Sequence, residues 1–411
     1  MLFNSMKKQI AYFTGTYPSL TETFIQREID YLTKYGITVT VFAIRRPEDL
    51  QEASTRAERS KGAVYARPDH ILDGIALQFL YLLSRPVRYL KIIKLILSQV
   101  KYHPLPVVIT FFSHLFSAVI FSDYLRKNHI SHIHAHFATA STMALFCHYL
   151  DDISFSFTVH ASGDIYSNPI MLNEKMTEAV TVVSDSEYNL AYLNLITDYH
   201  FENKIQIVYN GVEVPEKFTY KSVQDTAIKM ISVGGLKYFK GFPTLIRALA
   251  LLKNRGYIFH CSIIGDGPQR RVLETLISRE NLTGYITLLG NIEHTQTLQA
   301  ISEVDIFILA SEIYRSGFRD GMPTVLTETM ALGVPVVSTY VSCIPDLVEN
   351  DKSGILVPEK NPDLLANAIA SLIDDPDFRY NIAKGGYDRV KEKFDVVESR
   401  EKLTALLIKY L

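Results

Sequence analysis

Short β-branched or aromatic runs alternate with amphipathic stretches along nearly the whole chain, and this alternation constrains the fold more than any other feature. "QIAYFTGTYP" (9–18) is a strand-like run that ends in Gly and Pro. "ETFIQREIDYLTKYG" (22–36) then spaces Phe24, Ile25, Ile29 and Leu32 for one side of a helix, with Gly36 as its stop. "ITVTVFAI" (37–44) is a second strand. Strand, helix and strand at this spacing predict a βαβ unit and hence a parallel sheet. "HIHAHF", "FSFTVH", "AVTVVS" and "KIQIVYNG" continue the series. Around 212–228 the periodicity lapses and the chain turns polar, as a linker does. It restarts with "KMISVGGL", "IFHCSIIGDG", "YITLLGNI", "VDIFILAS", "VPVVST" and "GILVP", each followed by a helical pattern. The expectation is an α/β protein of two doubly wound domains, residues 1–215 and 216–390. A charged helical segment, 391–411, is placed to cross back to the first domain.

A chain of 411 residues exceeds one ordinary core, which agrees with two domains. A net charge of -2 gives no general attraction to nucleic acid. Cys147, Cys261 and Cys343 are far apart, with no C-x-x-C, so they read as core residues in a reducing cytosol rather than as a disulfide framework or zinc site. "MLFNSMKKQIAYF" lacks the apolar run of a signal peptide. "LPVVITFFSHLFSAVIF" (105–121) has no formal charge and nears the length of a spanning helix. Its His114, serines, threonine and Pro106 favour a buried helix of an α/β domain.

Three motifs in the second half carry candidate chemistry. In "SVGGLKYFKGFPTLIRALALL", Gly234 and Gly235 permit close backbone approach, and Lys240 precedes a helix start marked by Pro243. A lysine beside free helix N–H groups suits a phosphate, and equally fits a plain strand-to-helix turn. In "IIGDGPQRRVLETLI", Asp266 is expected to cap the next helix. In "SGFRDGMPTVLTETMALGVPVVS" (316–338), Pro323 starts a helix that Gly333 ends. Asp320 then lies in the loop before it and Glu328 about one and a half turns inside. Free N–H groups from Met322 to Val325 lie between the two acids, so a sugar hydroxyl, a phosphate and a ribose diol could be met in sequence. Asp320 could also simply complement the helix dipole.

The first half offers histidines and a basic segment. His132, His134 and His136 share one face of a strand. With no neighbouring cysteine or carboxylate, they read as a polar rim at a strand end before they read as a metal site. His160 ends "FSFTVH", where open parallel sheets bind ligands if the strands are parallel. Residues 74–122 contain no Asp or Glu, yet hold Arg85, Arg88, Lys91, Lys94 and Lys101 among many apolar residues. The segment 77–101 fits an ordinary helix with a solvated basic face, or docking on an anionic membrane.

Taken together, the motifs resemble retaining glycosyltransferases of family 4, which have the GT-B fold of two Rossmann-like domains facing across a cleft. "SVGGLKYFKG", "IIGDGP", "LLGNI", "DGMPTVLTETMALGVPVVST" and "GILVP" carry the resemblance in the second half. "YPSLTETFIQREI", "HIHAHFATA", "FSFTVHASGDIY", "VVSDSEYN" and "IVYNGV" look like the branch that builds bacterial exopolysaccharides of the colanic acid kind. The resemblance implies sugar transfer from a nucleoside diphosphate sugar to a saccharide acceptor, lipid-linked in this branch, with retention of configuration and no metal or other cofactor. It implies that Lys240 binds the diphosphate, Glu328 the ribose hydroxyls and Asp320 the transferred sugar. Backbone groups of Gly321, Met322, Pro323, Thr324 and Val325 would surround sugar and phosphate, and Gly234 and Gly235 would line the same turn. Asn291 and Ile292 would touch the base, Gly15 would approach the phosphates, and His160 would face the donor sugar. Two positions depart from the family: Gly235 replaces a common Arg, and Asp320 replaces a Glu. The implied location is cytoplasmic, on the inner face of the plasma membrane if the basic segment docks. An epimerase or phosphorylase of the same fold, or a saccharide-binding protein without activity, are the alternative readings.

Overall fold

The computed structural model describes residues 8–19, 23–47, 60, 62–66, 71–160, 162–166, 169–220, 227–315 and 317–411. The first seven residues, part of the N-terminal reading, and 221–226 of the linker lie outside them. The chain divides into two compact units. One holds residues up to Asp185, Asn189–Val208 and Arg400–Leu411, and the other holds Ser186–Tyr188 and Tyr209–Ser399.

Among the described residues the first unit is built on seven strands: β1 (Gln9–Thr16), β2 (Thr38–Arg45), β3 (Val64–Tyr65), β4 (His132–His136), β5 (Ser154–Val159), β6 (Thr181–Ser184) and β7 (Ile205–Ile207). Their order is β3-β2-β1-β4-β5-β6-β7, and every neighbouring pair is parallel. Phe13 of β1 sits opposite Phe42 of β2 and Ala135 of β4. The order reverses between β1 and β4, a topological switch point where such sheets hold ligands beyond their carboxyl ends.

The long apolar helix Leu105–Lys127 packs in this unit. Its Phe121 ring lies 5.2 Å from that of Phe13 and 4.9 Å from that of Phe42, and Phe111, Leu115 and Ala118 are buried. Among the described residues it is the one helix long and apolar enough to cross a membrane, and close to half of its most apolar window is buried inside the protein.

Among its described residues the second unit has six strands: β8 (Ile228–Val233), β9 (Phe259–Ile264), β10 (Ile286–Gly290), β11 (Ile306–Leu309), β12 (Val336–Thr339) and β13 (Ile355–Val357). Their order is β10-β9-β8-β11-β12-β13, again all parallel, with the switch point between β8 and β11. Both faces are covered, so the central strand is a continuous apolar run. Ile306 and Ile308 face a core with Leu245, Leu249 and Ile369. Phe307 and Leu309 face the opposite core with Leu326, Met330 and Phe394. Cys147, Cys261 and Cys343 are buried thiols.

Candidate active site

The site residues of the second unit collect at the carboxyl ends of its strands. β8 leads through Gly234 and Gly235 to a single 3-10 turn, Tyr238–Lys240, and then to the helix Phe242–Asn254. Gly241 joins turn to helix at φ 64°, and a Cβ there would stand 1.6 Å from the Ala310 carbonyl oxygen. Only glycine permits so close an approach of this turn to the strand end that follows β11. The consequence is positional. Lys240 is delivered beside the loop after β11, and its Nζ donates to both carboxylate oxygens of Asp320, at 2.9 and 2.7 Å. Ser311 Oγ donates to Asp320 Oδ2 at 2.8 Å. The two charged side chains are 14% and 11% exposed, so the pair is largely desolvated. A Cβ on Gly234 would come within 3.3 Å of Lys240 Cδ and Cε, so this glycine leaves room for the lysine stem.

Asp320 precedes the helix Thr324–Ala331, which begins after Pro323; Gly333, two residues past its last turn, has φ 72°. The Leu326 N–H donates to the Pro323 carbonyl at 2.9 Å, while those of Thr324 and Val325 precede any acceptor the helix itself can offer. Gly321, Thr324 and Val325 are half-buried, while Met322 and Pro323 are buried beneath them. Glu328 is buried within this helix, and His294 Nε2 lies 2.9 Å from its Oε1. His294 opens the helix His294–Ser302, three residues beyond the exposed Asn291. Ile292 and Val325 pack against the core cluster that contains Met322 and Leu326.

The structure thus joins Lys240 to Asp320 and Glu328 to His294. His294 went unnoticed in the sequence because a single histidine at a helix start has no periodic signature; its place just after the Asn291–Ile292 loop was the available signal. Asp266 does not cap its helix. Its Oδ1 accepts from Gly267 N at 2.7 Å, and its other oxygen lies 3.7 Å from Arg270 Nη1, because the helix starts four residues later at Arg270.

The first unit holds a second polar cluster, which runs along β4 and β5 to their carboxyl ends. His132, His134 and His136 are fully buried rather than forming a rim. The neighbouring strand β5 carries hydroxyls in matching register, opposite His132, His134 and His136 in turn. His132 lies 2.8 and 2.9 Å from the Ser154 and Ser156 hydroxyls, and His134 lies 2.8 and 3.0 Å from those of Ser156 and Thr158. His136 Nδ1 reaches His160 Nε2 at 3.0 Å. The backbone N–H of His160 donates to Asp164 Oδ2 at 2.8 Å, and its ring Nδ1 lies 3.4 Å from Asp185 Oδ2. Phe24 and Phe137 flank the His160 ring, with centroids at 4.8 and 4.7 Å.

Burial alone would lower the His160 pKa, but the Asp185 hydrogen bond and charge, with Asp164 and Glu28, raise it above the usual histidine value. Glu28, His134 and His136 bring one candidate ligand atom each within 4.8 Å of one another. Both His134 nitrogens are already engaged by hydroxyls, so this cluster is built as a hydrogen-bond network and not as an open coordination site. Gly15, near the end of β1, is half-buried, and a Cβ there would meet nothing within 4 Å.

Residues 214–389 match the glycosyl transferases group 1 family. The chain is 35% identical over 207 residues to WcaL of Escherichia coli K12, named for colanic acid biosynthesis glycosyltransferase function, covering 50% of this chain and 51% of that protein. It is 36% identical over 171 residues to the amylovoran biosynthesis glycosyltransferase AmsK of Erwinia amylovora, covering 41% and 42%. The chain thus aligns with about half the length of these curated relatives. Among solved structures, Anabaena HepE in complex with UDP superposes with a TM-score of 0.71 at 17% identity, over 98% of this chain and 100% of that one. At that identity the likeness establishes the fold: two parallel-sheet α/β, Rossmann-like domains, as in GT-B glycosyltransferase structures.

Proposed function

We propose that the protein is a retaining glycosyltransferase of family 4 type. It would move a sugar from a nucleoside diphosphate sugar to a lipid-linked saccharide in the synthesis of a bacterial surface polysaccharide. The observation that carries this reading is the desolvated Lys240–Asp320 pair, set just before the open helix start at Thr324 in a segment that matches group 1 glycosyl transferases. Such a site offers a cation and free N–H groups to a diphosphate, and carboxylates to sugar and ribose hydroxyls.

In this reading Lys240 exchanges its Asp320 partner for the donor's diphosphate, and Asp320 turns to a hydroxyl of the sugar. Glu328, steadied by His294, holds the ribose diol. Backbone groups of Gly321 to Val325 surround sugar and phosphate, with Gly234 and Gly235 alongside. Asn291 and Ile292 meet the base, Gly15 nears the phosphates, and His160 faces the sugar. HepE has been solved with UDP and with UDP-glucose, which makes a uridine donor the first to test. The C1–O bond to the diphosphate breaks while a bond from the acceptor oxygen forms on the same face. The acceptor's proton passes to the departing phosphate oxygen. Lys240 and the helix start stabilise the charge that develops there. In this reading no metal or other cofactor takes part.

The acceptor's lipid would be met at a membrane. The helices Ile71–Ser84, Pro86–Ser98 and Leu105–Lys127 expose Leu72, Phe79, Leu83, Val87, Leu97 and Ile109, and Leu83 and Val87 are 79% and 81% exposed. With Lys91, Lys94 and Lys101 on the same segment, the occupant that fits is an anionic bilayer on the cytoplasmic side.

The test is incubation of the protein with UDP-, GDP- and ADP-sugars and a lipid-linked acceptor. Transfer with retained configuration is expected, and it should fall at least a hundredfold in Lys240→Ala and Glu328→Ala. Full transfer by both variants would refute the site assignment.

A further inference from the structure

We propose that Glu28 is a positioning residue for His160, and that the two share one proton through the ring of His136. The atoms form a continuous path on four elements. Asp185, just after β6, approaches His160 Nδ1 at 3.4 Å. His160 Nε2 and His136 Nδ1 are 3.0 Å apart. On the far side of that ring, His136 Nε2 stands 3.2 Å from Glu28 Oε2, on the helix Thr23–Lys34. Tyr12, on β1, donates its hydroxyl to the same Glu28 oxygen at 3.2 Å.

His136 Nε2 is fully enclosed and has no aligned hydrogen bond among the described residues. A buried ring nitrogen left in that state is costly, so completing its bond to Glu28 is favourable.

The path admits two arrangements with the same three protons. In one, His160 is a cation that donates from Nδ1 to Asp185 and from Nε2 to His136 Nδ1. His136 then carries its proton on Nε2, facing ionised Glu28. In the other, the His160 Nε2 proton has passed to His136 Nδ1, and the His136 Nε2 proton has passed to Glu28 Oε2. His160 and Glu28 are then both neutral, and His136 has changed tautomer. Each N–H bond broken is matched by one N–H or O–H bond formed, and nothing enters from solvent. Tyr12 donates to Glu28 in both.

The charges around the path are consistent with close exchange. Burial pushes the Glu28 carboxyl up to about 7, against the influence of His134, His160, Tyr12 and Arg400. His160 is held above its usual value by Asp185, Asp164 and Glu28 despite its burial. Burial keeps His136 and His134 well below theirs. Buried Lys175, on the helix Leu172–Glu178, acts on Asp164. An enclosed His160 can therefore gain or lose its charge without exchanging a proton with water. The network stands on the geometry alone. Its consequence for transfer rests on the proposed function, in which charge on the departing diphosphate favours the cationic His160.

The experiment is nuclear magnetic resonance of the ligand-free full chain, following His ring nitrogens and the Glu28 carboxyl carbon against pH. In the wild type, Glu28 and His160 should titrate in shared steps. The His136 tautomer should change in step with the His160 charge. Glu28→Gln should lower the His160 midpoint by at least one pH unit, a tenfold loss of proton affinity. His136→Gln should leave Glu28 and His160 titrating independently. Independent titration in the wild type, or an unmoved His160 midpoint in Glu28→Gln, would overturn the proposal. Absence of sugar transfer by the wild type would refute the proposed function and leave these titrations as they are.

Discussion

Replacing Lys240 or Asp320 should separate the structural from the ligand-binding use of this ion pair. Lys240 Nζ touches both oxygens of Asp320 at 2.9 and 2.7 Å, with little of either side chain in water. At about 3 Å and an effective dielectric near 20, the Coulomb attraction is about 5 kcal/mol. Desolvation offsets part of it, and breaking such a pair from one side leaves a lone buried charge at a cost of about 3–5 kcal/mol. Lys240→Met and Asp320→Asn should each destabilise the protein. The double variant should be less destabilised than the sum, with a coupling of about 3 kcal/mol in a urea-denaturation cycle. Binding of UDP should split the two single variants. Lys240→Met loses a charged contact to phosphate and should bind UDP roughly 10- to 100-fold more weakly. Asp320→Asn removes the group that competes with phosphate for Lys240 and should bind UDP roughly tenfold more tightly. Titration calorimetry measures both. A coupling below about 1 kcal/mol, as for an exposed pair, would refute the buried-pair reasoning. Equal weakening of UDP binding by both variants would refute the competition.

Gly241→Ala should lower Tm by about 10 °C or prevent folding, since its Cβ would strike the Ala310 carbonyl, whereas Gly256→Ala, at φ 88° with nothing within 4 Å, should cost about 1 kcal/mol; scanning calorimetry of both tests the clash. Glu28 has a folded pKa of about 7 against 4.5 for the ordinary group, so the folded state keeps a proton that the unfolded chain releases between these values. The Glu28 contribution to stability should therefore fall by about 3 kcal/mol as pH rises from 4.5 to 7, opposite in sign to that of the buried His134 and His136, so the stability difference between wild type and Glu28→Gln should change by that amount across the window; parallel curves from denaturant titrations of the two at several pH values would contradict it. Leu83→Asp with Val87→Asp should abolish flotation with anionic liposomes while leaving Tm within about 2 °C, because both side chains are in solvent. Flotation unchanged by the double variant, or unaffected by removal of anionic lipid, would count against membrane docking.

The strands and helices were legible because period-2 and period-3.6 patterns report burial directly, and the apolar runs of β8, β9 and β11 carried through into a sheet covered on both faces. The Lys240–Asp320 contact was not legible, because it joins residues 80 apart through the adjacency of β8 and β11, which spacing does not encode. The three histidines of β4 were read as a rim because polar residues normally avoid a covered strand. What the single-strand reading missed was the second strand. Ser154, Ser156 and Thr158 fall opposite them and satisfy two of the three rings. Glu28 looked like any polar position on an amphipathic helix, and only its packing beside His136 and Tyr12 gives it chemistry.

Thermal unfolding of the wild type and of Glu328→Ala in the presence of UDP, GDP and ADP tests most directly whether the second unit is a nucleoside diphosphate site. One diphosphate at a hundred times its Kd should stabilise the wild type by about 2.7 kcal/mol, raising Tm by roughly 5–10 °C, and the shift should largely vanish in Glu328→Ala. No shift with any of the three, or an equal shift in the variant, would contradict it.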